Sequence, residues 1–304
     1  MRFAKICILG APMDFGAGRR GVDMGPSALR KAGLNSTLTR LGYATQDLGN
    51  VFVEQQESME EGEANAKFLA SIAQSCAGLA ATVEGVIDGK SFPLVLGGDH
   101  SIAAGTVAGV SAAYRRQGEK IGLLWIDAHT DMNTPETTPS GNVHGMPMAC
   151  CIGSGPKELT HLLGYAPKVE AKNVVLIGIR DVDEEERELV RRSGVTVFTM
   201  RQIDEQGLRH VMERALGILN DGTAGFHLSL DMDAIDPVEA PGVGTPVQGG
   251  MTYREAHLAM EMICDCDRLL SMELVEVNPV LDTANRTAEL GVQLVASAMG
   301  KKIL

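Results

Sequence analysis

The sequence is poor in aromatic residues (4%), holds a single tryptophan, and carries only six cysteines among 304 residues. Those cysteines (Cys7, Cys76, Cys150, Cys151, Cys264 and Cys266) form no Cys-x2-Cys pair and are too sparse for a disulfide framework, so they read as reduced thiols. Basic residues are in deficit: 27 Lys and Arg against 39 Asp and Glu give a net charge of −12, the opposite of a nucleic-acid binder's basic face. That balance suits a site for cationic ligands, and it also serves solubility alone. No apolar run approaches the roughly 18 residues of a membrane span. The opening Ile6-Cys7-Ile8-Leu9 is a short first strand, not the apolar stretch of a signal peptide, so the expectation is a cytoplasmic protein. Pro/Gly/Ser linkers, low-complexity tracts and internal repeats are also missing, and a single domain over residues 1–304 is expected.

What is present is a chain 44% hydrophobic and 22% charged, enough to bury a core without disulfides. Short apolar runs alternate with longer amphipathic segments. Strands are expected at 4–9, 43–48, 93–96, 121–126, 174–179, 195–198, 225–230 and 271–275. Helices are expected at 60–86, 102–116, 184–192, 208–219, 254–264 and 284–299. Runs such as Val174-Val175-Leu176-Ile177 suit parallel strands buried on both faces. The alternation predicts a doubly wound α/β sheet.

In such sheets ligands sit beyond the carboxyl ends of the strands, so the residues that follow each strand matter most. The third strand leads into Gly97-Gly98-Asp99-His100-Ser101, the fourth into Asp127-Ala128-His129-Thr130-Asp131, and the seventh into Asp231-Met232-Asp233-Ala234-Ile235-Asp236-Pro237. The last leads into Glu276-Val277-Asn278-Pro279. Acids and imidazoles thus gather on one rim with no cationic run to neutralise them.

Carboxylates that converge raise one another's pKa, and bound cations relieve this. Asp127, His129 and Asp131 alternate just past a strand, where an extended backbone would point all three one way; Asp231 and Asp233 repeat the spacing. With His100 the set comprises four carboxylates and two imidazoles, which two divalent ions would balance, with a bridging hydroxide favoured over water. Oxygen-rich ligation with a minority of imidazole suits Mn²⁺ better than Zn²⁺. Each motif alone has a blander reading: Asp-x-Asp after a strand caps turns, and a lone histidine is usually a satisfied core residue. Three such clusters on one sheet favour the metal.

Gly-Gly-Asp-His-Ser, Asp-Ala-His-Thr-Asp and Ser-Leu-Asp-Met-Asp-Ala-Ile-Asp-Pro resemble the signature motifs of the ureohydrolase family, which holds arginases, agmatinases and formimidoylglutamases. The resemblance runs from Arg19-Arg20-Gly21-Val22-Asp23 to Glu276-Val277-Asn278-Pro279. It implies a three-layer α/β/α fold with an eight-stranded parallel sheet, two Mn²⁺ per chain, and a homo-oligomer, commonly a trimer or a pair of trimers. One ion would take His100, Asp127, Asp131 and Asp231, and the other Asp127, His129, Asp231 and Asp233.

Substrate choice rests on other positions. Thr134–Gly145 resembles the loop by which arginases hold the amino acid end of arginine, so Asn133, Ser140 and Asn142 would donate to the α-carboxylate. Asp183 and Glu186 match the acids that receive the α-ammonium group, Thr245 and Glu276 match positions lining the guanidinium pocket, and His144 matches a proton-shuttling histidine. Asp131 would pass a proton to the leaving amine. Neutral donors suit a carboxylate, which agmatine lacks, so the resemblance implies L-arginine, hydrolysed to ornithine and urea. Read without the resemblance, Pro139-Ser140-Gly141-Asn142 is a plain β-turn and Glu184-Glu185-Glu186 a solvated helix start.

Rival readings are an agmatinase or other guanidino-compound hydrolase, a single-metal zinc deacetylase of similar fold, and a non-catalytic arginine sensor. Gly16-Ala17-Gly18-Arg19-Arg20-Gly21 matches a dinucleotide pattern, but a helix starts only near Gly25-Pro26-Ser27, too late for a phosphate site; Arg19 and Arg20 could serve a subunit contact. His257 and Met260 stand three apart on a helix, which reads as core filling.

Overall fold

The computed structural model describes residues 3–302; residues 1–2 and 303–304 of the expected unit lie outside the described residues. Eight strands form one sheet: β1 (Lys5–Ala11), β2 (Ala44–Asn50), β3 (Phe92–Gly97), β4 (Gly122–Ile126), β5 (Val174–Ile179), β6 (Thr196–Thr199), β7 (Phe226–Asp231) and β8 (Leu269–Val275). All eight expected strands are there, with ends displaced by at most two residues. Every pairing is parallel, in the order β2-β1-β3-β8-β7-β4-β5-β6. The four strands that carry the rim motifs, β3, β8, β7 and β4, are therefore consecutive at the centre of the sheet.

The helices are α1 (Gly25–Lys31), α2 (Leu34–Arg40), α3 (Leu69–Asp88), α4 (Ala103–Arg115), α5 (Pro147–Cys151), α6 (Lys157–Thr160), α7 (Glu184–Ser193), α8 (Met200–Gln206), α9 (Leu208–Asn220), α10 (Tyr253–Cys266) and α11 (Arg286–Ala298). Two buried clusters lie on opposite faces of the sheet. One gathers α1, α2 and α8 to α11 over Ile8, Leu94, Leu124 and Ile126; the other gathers α3 to α6 over Leu9, Val95, Leu123 and Trp125. Alternate residues of one strand feed opposite clusters, which makes β3, β4 and β5 near-continuous apolar runs, whereas β2 is largely exposed.

Helix α3 is long and apolar enough by length and composition to cross a membrane, with mean hydropathy 1.3 over its best window. Its Ile72, Cys76, Leu79, Ala80 and Val83 are buried, and it packs along α4 as one layer of the fold.

The expected helix 60–86 begins late. Residues 62–67 form a two-stranded antiparallel hairpin, Gly62–Glu63 against Ala66–Lys67, with Gly62 at φ 75°. The glycine and the following Asn65 favour a turn over helix propagation, and the hairpin has a partner of its own described below. The segment Gly16–Gly21 is a loop, as expected: Arg20 pairs with Asp14 and Glu57, and Gly16 lies against Asp99. His257 bonds Ser297 through Nδ1 and Met260 is buried, so that pair belongs to the core.

Candidate metal centre and active site

Each motif is positioned by the way its strand stops. Past β4 the backbone does not stay extended. Asp127 turns its carboxylate back to accept from the His129 amide (2.7 Å), and Asp131 sits at φ 50°. The three side chains converge through a bent loop, in place of the strand alternation expected from their spacing. Asp231 ends β7 and caps a 3₁₀ turn, Met232–Ala234, by accepting from the Asp233 amide (2.7 Å). The capping reading and the ligand reading of Asp-x-Asp thus hold together, because the cap uses Oδ1 and leaves Oδ2 for the centre. Glu276, one residue past β8, has φ 62°. Two non-glycine residues in the left-handed region cost of order 1–3 kcal/mol each, and such strain clusters at functional sites.

His100 Nδ1 lies 3.1 Å from Asp127 Oδ2, Asp131 Oδ2 and Asp231 Oδ2. His129 Nδ1 lies 3.1 Å from Asp233 Oδ2 and 3.4 Å from Asp127 Oδ1. Ligand atoms of His100, Asp127 and Asp231, and separately of Asp127, His129 and Asp233, fall within 4.8 Å of one another, with Asp127 shared. All six residues named from the sequence are therefore brought together.

A test of whether a cation fits comes from His100. Its Nδ1 is buried without a hydrogen-bond partner, while Nε2 bonds Ser229 Oγ at 2.7 Å. A ring nitrogen facing three carboxylate oxygens at 3.1 Å is satisfied by a bound cation or by its own proton, so the position suits a metal ligand. The electrostatics agree. Burial, then the fields of Asp233 and Asp127, hold Asp231 well above the usual carboxylate range. Burial and the neighbouring Asp127 push Asp131 up to about 7. Such crowding of like charge favours bound cations.

Sequence reasoning missed several supports. Trp125, the single tryptophan, donates from Nε1 to Asp127 Oδ2 (2.8 Å) and stacks on His100 with ring centroids 4.0 Å apart. Arg180 donates to the carbonyls of Asp233 and Val247, and so clamps both ends of the segment that carries Thr245. Only an aromatic residue at odd position in an apolar strand, or an arginine after one, signals these in the sequence.

Beside the acidic cluster opens a cavity of about 120 Å³ lined by His129, Asp131, Asn133, Thr138, Ser140, Asn142, His144, Asp183, Glu186 and Thr245, among others. Buried behind His144, which lines the cavity, Glu276 accepts through Oε1 from the His100 amide (2.9 Å) and meets His144 Nδ1 (3.1 Å). Its second oxygen, Oε2, is buried with no partner. Burial works against a charged His144, but the bond to Glu276 and the fields of Glu276, Asp131 and Asp99 outweigh it and raise the imidazole to about 9. Thr245 donates to Asp233 Oδ2 (2.9 Å).

The residues assigned to the amino acid end are placed unequally. Ser140 is exposed at the mouth, and its Oγ accepts from the Asn142 amide (3.2 Å). Asn133 gives an amide N–H to Asp183 Oδ2 (2.8 Å). Glu186 is buried and already engaged: it accepts from Thr130 Oγ1, from the Met132 amide (2.7 Å) and from the Asp183 amide (3.2 Å). Its carboxylate therefore ties the start of α7 to the loop that holds Asp131. The hairpin at 62–67 supports the far side: Lys67 donates to the Gly141 carbonyl (3.0 Å), and Asn65 to that of Pro135 (2.9 Å).

A model of the arginase family matches residues 4–300. Arginases of Bacillus caldovelox and Bacillus subtilis are each 50% identical to the chain, over 98% of it and 99% of their own length. Among solved structures, the arginase of Bacillus caldovelox superposes with TM-score 0.95 at 48% identity, covering 99% of this chain and all of that one. The Entamoeba histolytica arginase, solved in complex with L-ornithine, superposes with TM-score 0.90 at 31% identity, over 99% of this chain and 100% of its own. A formimidoylglutamase at 22% identity shares the fold alone. With eight parallel strands in this order, six convergent ligand candidates and full-length matches at half identity, the chain belongs to the arginase family of hydrolases.

Proposed function

We propose that this chain hydrolyses L-arginine to L-ornithine and urea, as one catalytic unit over residues 1–304 with two Mn²⁺ ions. His100, Asp127, Asp131 and Asp231 would hold one ion, and Asp127, His129, Asp231 and Asp233 the other. When bound, these ions supply charge stabilisation and a water acidic enough to serve as nucleophile near neutral pH. The observation that carries the reading is the unpartnered, buried Oε2 of Glu276 beside the acidic cluster. A carboxylate oxygen in that position is matched by the N–H of a guanidinium, which Glu276 would pair with and orient. Thr245 would flank the same group. Asp131 would carry a proton to the leaving amine, and His144, bonded to Glu276 and facing the cavity, would exchange protons with solvent.

At the cavity mouth Asn133, Ser140 and Asn142 would donate to the α-carboxylate. Asp183 is exposed there and, although its Oδ2 already accepts from Asn133, would meet the α-ammonium group directly, whereas the engaged carboxylate of Glu186 would act on it at longer range. A homo-oligomer, trimer or hexamer, is part of the same reading, supported by exposed apolar side chains at Phe52, Val238 and Val280 that a subunit contact would cover. So is a cytoplasmic location, supported by six cysteines that are all free.

Urea release from L-arginine and agmatine, assayed side by side with the Mn²⁺-loaded protein, tests the assignment. Arginine turnover with agmatine silent is the expected result. Agmatine turnover would overturn the roles of Ser140 and Asn142, and silence with both would overturn the activity.

A further inference from the structure

Beneath the acidic cluster, polar side chains line up inside the sheet. His227 and Ser229 on β7 and Ser271 and Glu273 on β8 have no solvent exposure, and Ser229 stands opposite Glu273 in register. Ser229 Oγ donates to Glu273 Oε1 (2.7 Å), His227 Nδ1 meets Ser271 Oγ (2.8 Å), and His227 Nε2 lies 3.4 Å from Glu273 Oε1. A carboxylate enclosed among strands is costly, and apolar replacements of such groups are often neutral or stabilising for folding. Folding alone therefore gives no reason for Glu273 to be there.

We infer that Glu273 is a positioning residue for His100: through Ser229 it dictates which ring nitrogen of His100 is left bare to face the carboxylates. An ionised carboxylate only accepts, so the one hydroxyl proton of Ser229 is committed to Glu273. The Ser229 oxygen can then only accept from His100, at 2.7 Å, which places the ring proton on Nε2. As a metal ligand His100 is a neutral imidazole with one N–H, so with that proton on Nε2 the lone pair of Nδ1 is the one offered to a cation held between Asp127, Asp131 and Asp231. Without Glu273 the hydroxyl is free to turn and donate to Nε2, the proton moves to Nδ1, and the ligand atom is blocked. This inference rests on the metal centre proposed above.

The test is a Mn²⁺ titration followed by quenching of the fluorescence of Trp125, the single tryptophan, which stacks on His100. The wild-type chain is expected to bind two ions. Glu273→Leu and Ser229→Ala should each weaken one of the two by roughly 10–100-fold. The other ion should be unaffected in both variants, even where the metal-free melting temperature falls because a buried partner is left unpaired. The double variant should lose no more than either single one, because both changes break the same link. Wild-type affinity at both sites in Ser229→Ala, or losses that multiply in the double variant, would overturn the relay, and the former reading stands even where Glu273→Leu does not fold. A wild-type chain that binds no divalent ion is a different result, and it would remove the metal centre itself.

Discussion

Glu276 does two things with one carboxylate oxygen, fixing the His100 amide and holding His144, and in the proposed reaction its unpartnered second oxygen would meet the substrate. Glu276→Gln retains shape and loses the charge that faces a guanidinium. Breaking a buried charge pair costs about 2–5 kcal/mol, so kcat/KM for arginine should fall by roughly 30- to 5,000-fold with the metal content, read by elemental analysis, unchanged. His144 gives a prediction with a sign. Its imidazole is raised to about 9, so below that pH it is mostly charged and cannot take up a proton. Activity should therefore rise with pH from weakly acidic conditions up to about 9. His144→Asn should flatten that rise and lower kcat by about 10²–10⁴. A flat wild-type profile would exclude His144 from the rate-limiting proton transfer. The six acidic and imidazole positions were legible because consecutive motifs placed them at strand ends. Ser229, Glu273 and Trp125 were not, since alternate residues inside an apolar strand read as core whatever they bond to.

At the level of elements the central strands β3, β4 and β5 were plain in the sequence, because burial on both faces writes a near-continuous apolar run. Their neighbours were not. That β3, β8, β7 and β4 lie side by side depends on crossovers between segments far apart in the chain, which no local pattern encodes. The hairpin at residues 62–67 was hidden for a related reason: it forms against the 133–142 loop, and local propensity there reads as the start of α3. That contact makes Gly141 critical. It has φ 74°, and a Cβ built on it would meet the Ala64 carbonyl oxygen at 1.9 Å. Gly141→Ala must therefore push the loop away from the hairpin and shift Ser140 and Asn142 with it. A displacement of about 1 Å can cost 10²-fold. KM for arginine should rise at least about 10-fold, while metal binding followed through Trp125 stays as in the wild type. An unchanged KM would separate this loop from recognition of the amino acid end.

For the whole molecule the rim is a stability liability that metal converts into an asset. Asp127, Asp231 and Asp233 are almost fully buried, and Asp131 nearly so, at 8% exposure. Stripped of cations, these groups are left to share the protons of His100 and His129 under mutual repulsion. Chelation with EDTA should accordingly lower the melting temperature, and Mn²⁺ should restore it in proportion to the logarithm of its concentration. At 100 times Kd, one bound ion stabilises the folded state by about 2.7 kcal/mol. In a chain of this size each kcal/mol moves the midpoint by roughly 2–4 °C, so a shift on the order of 5–10 °C is expected per ion. Mg²⁺, which prefers oxygen-only octahedra, should restore less than Mn²⁺ at equal concentration, because two of the six proposed ligands are imidazoles. Equal melting temperatures with and without divalent ions would mean that protons alone balance the cluster, and the two-ion assignment would fall with it.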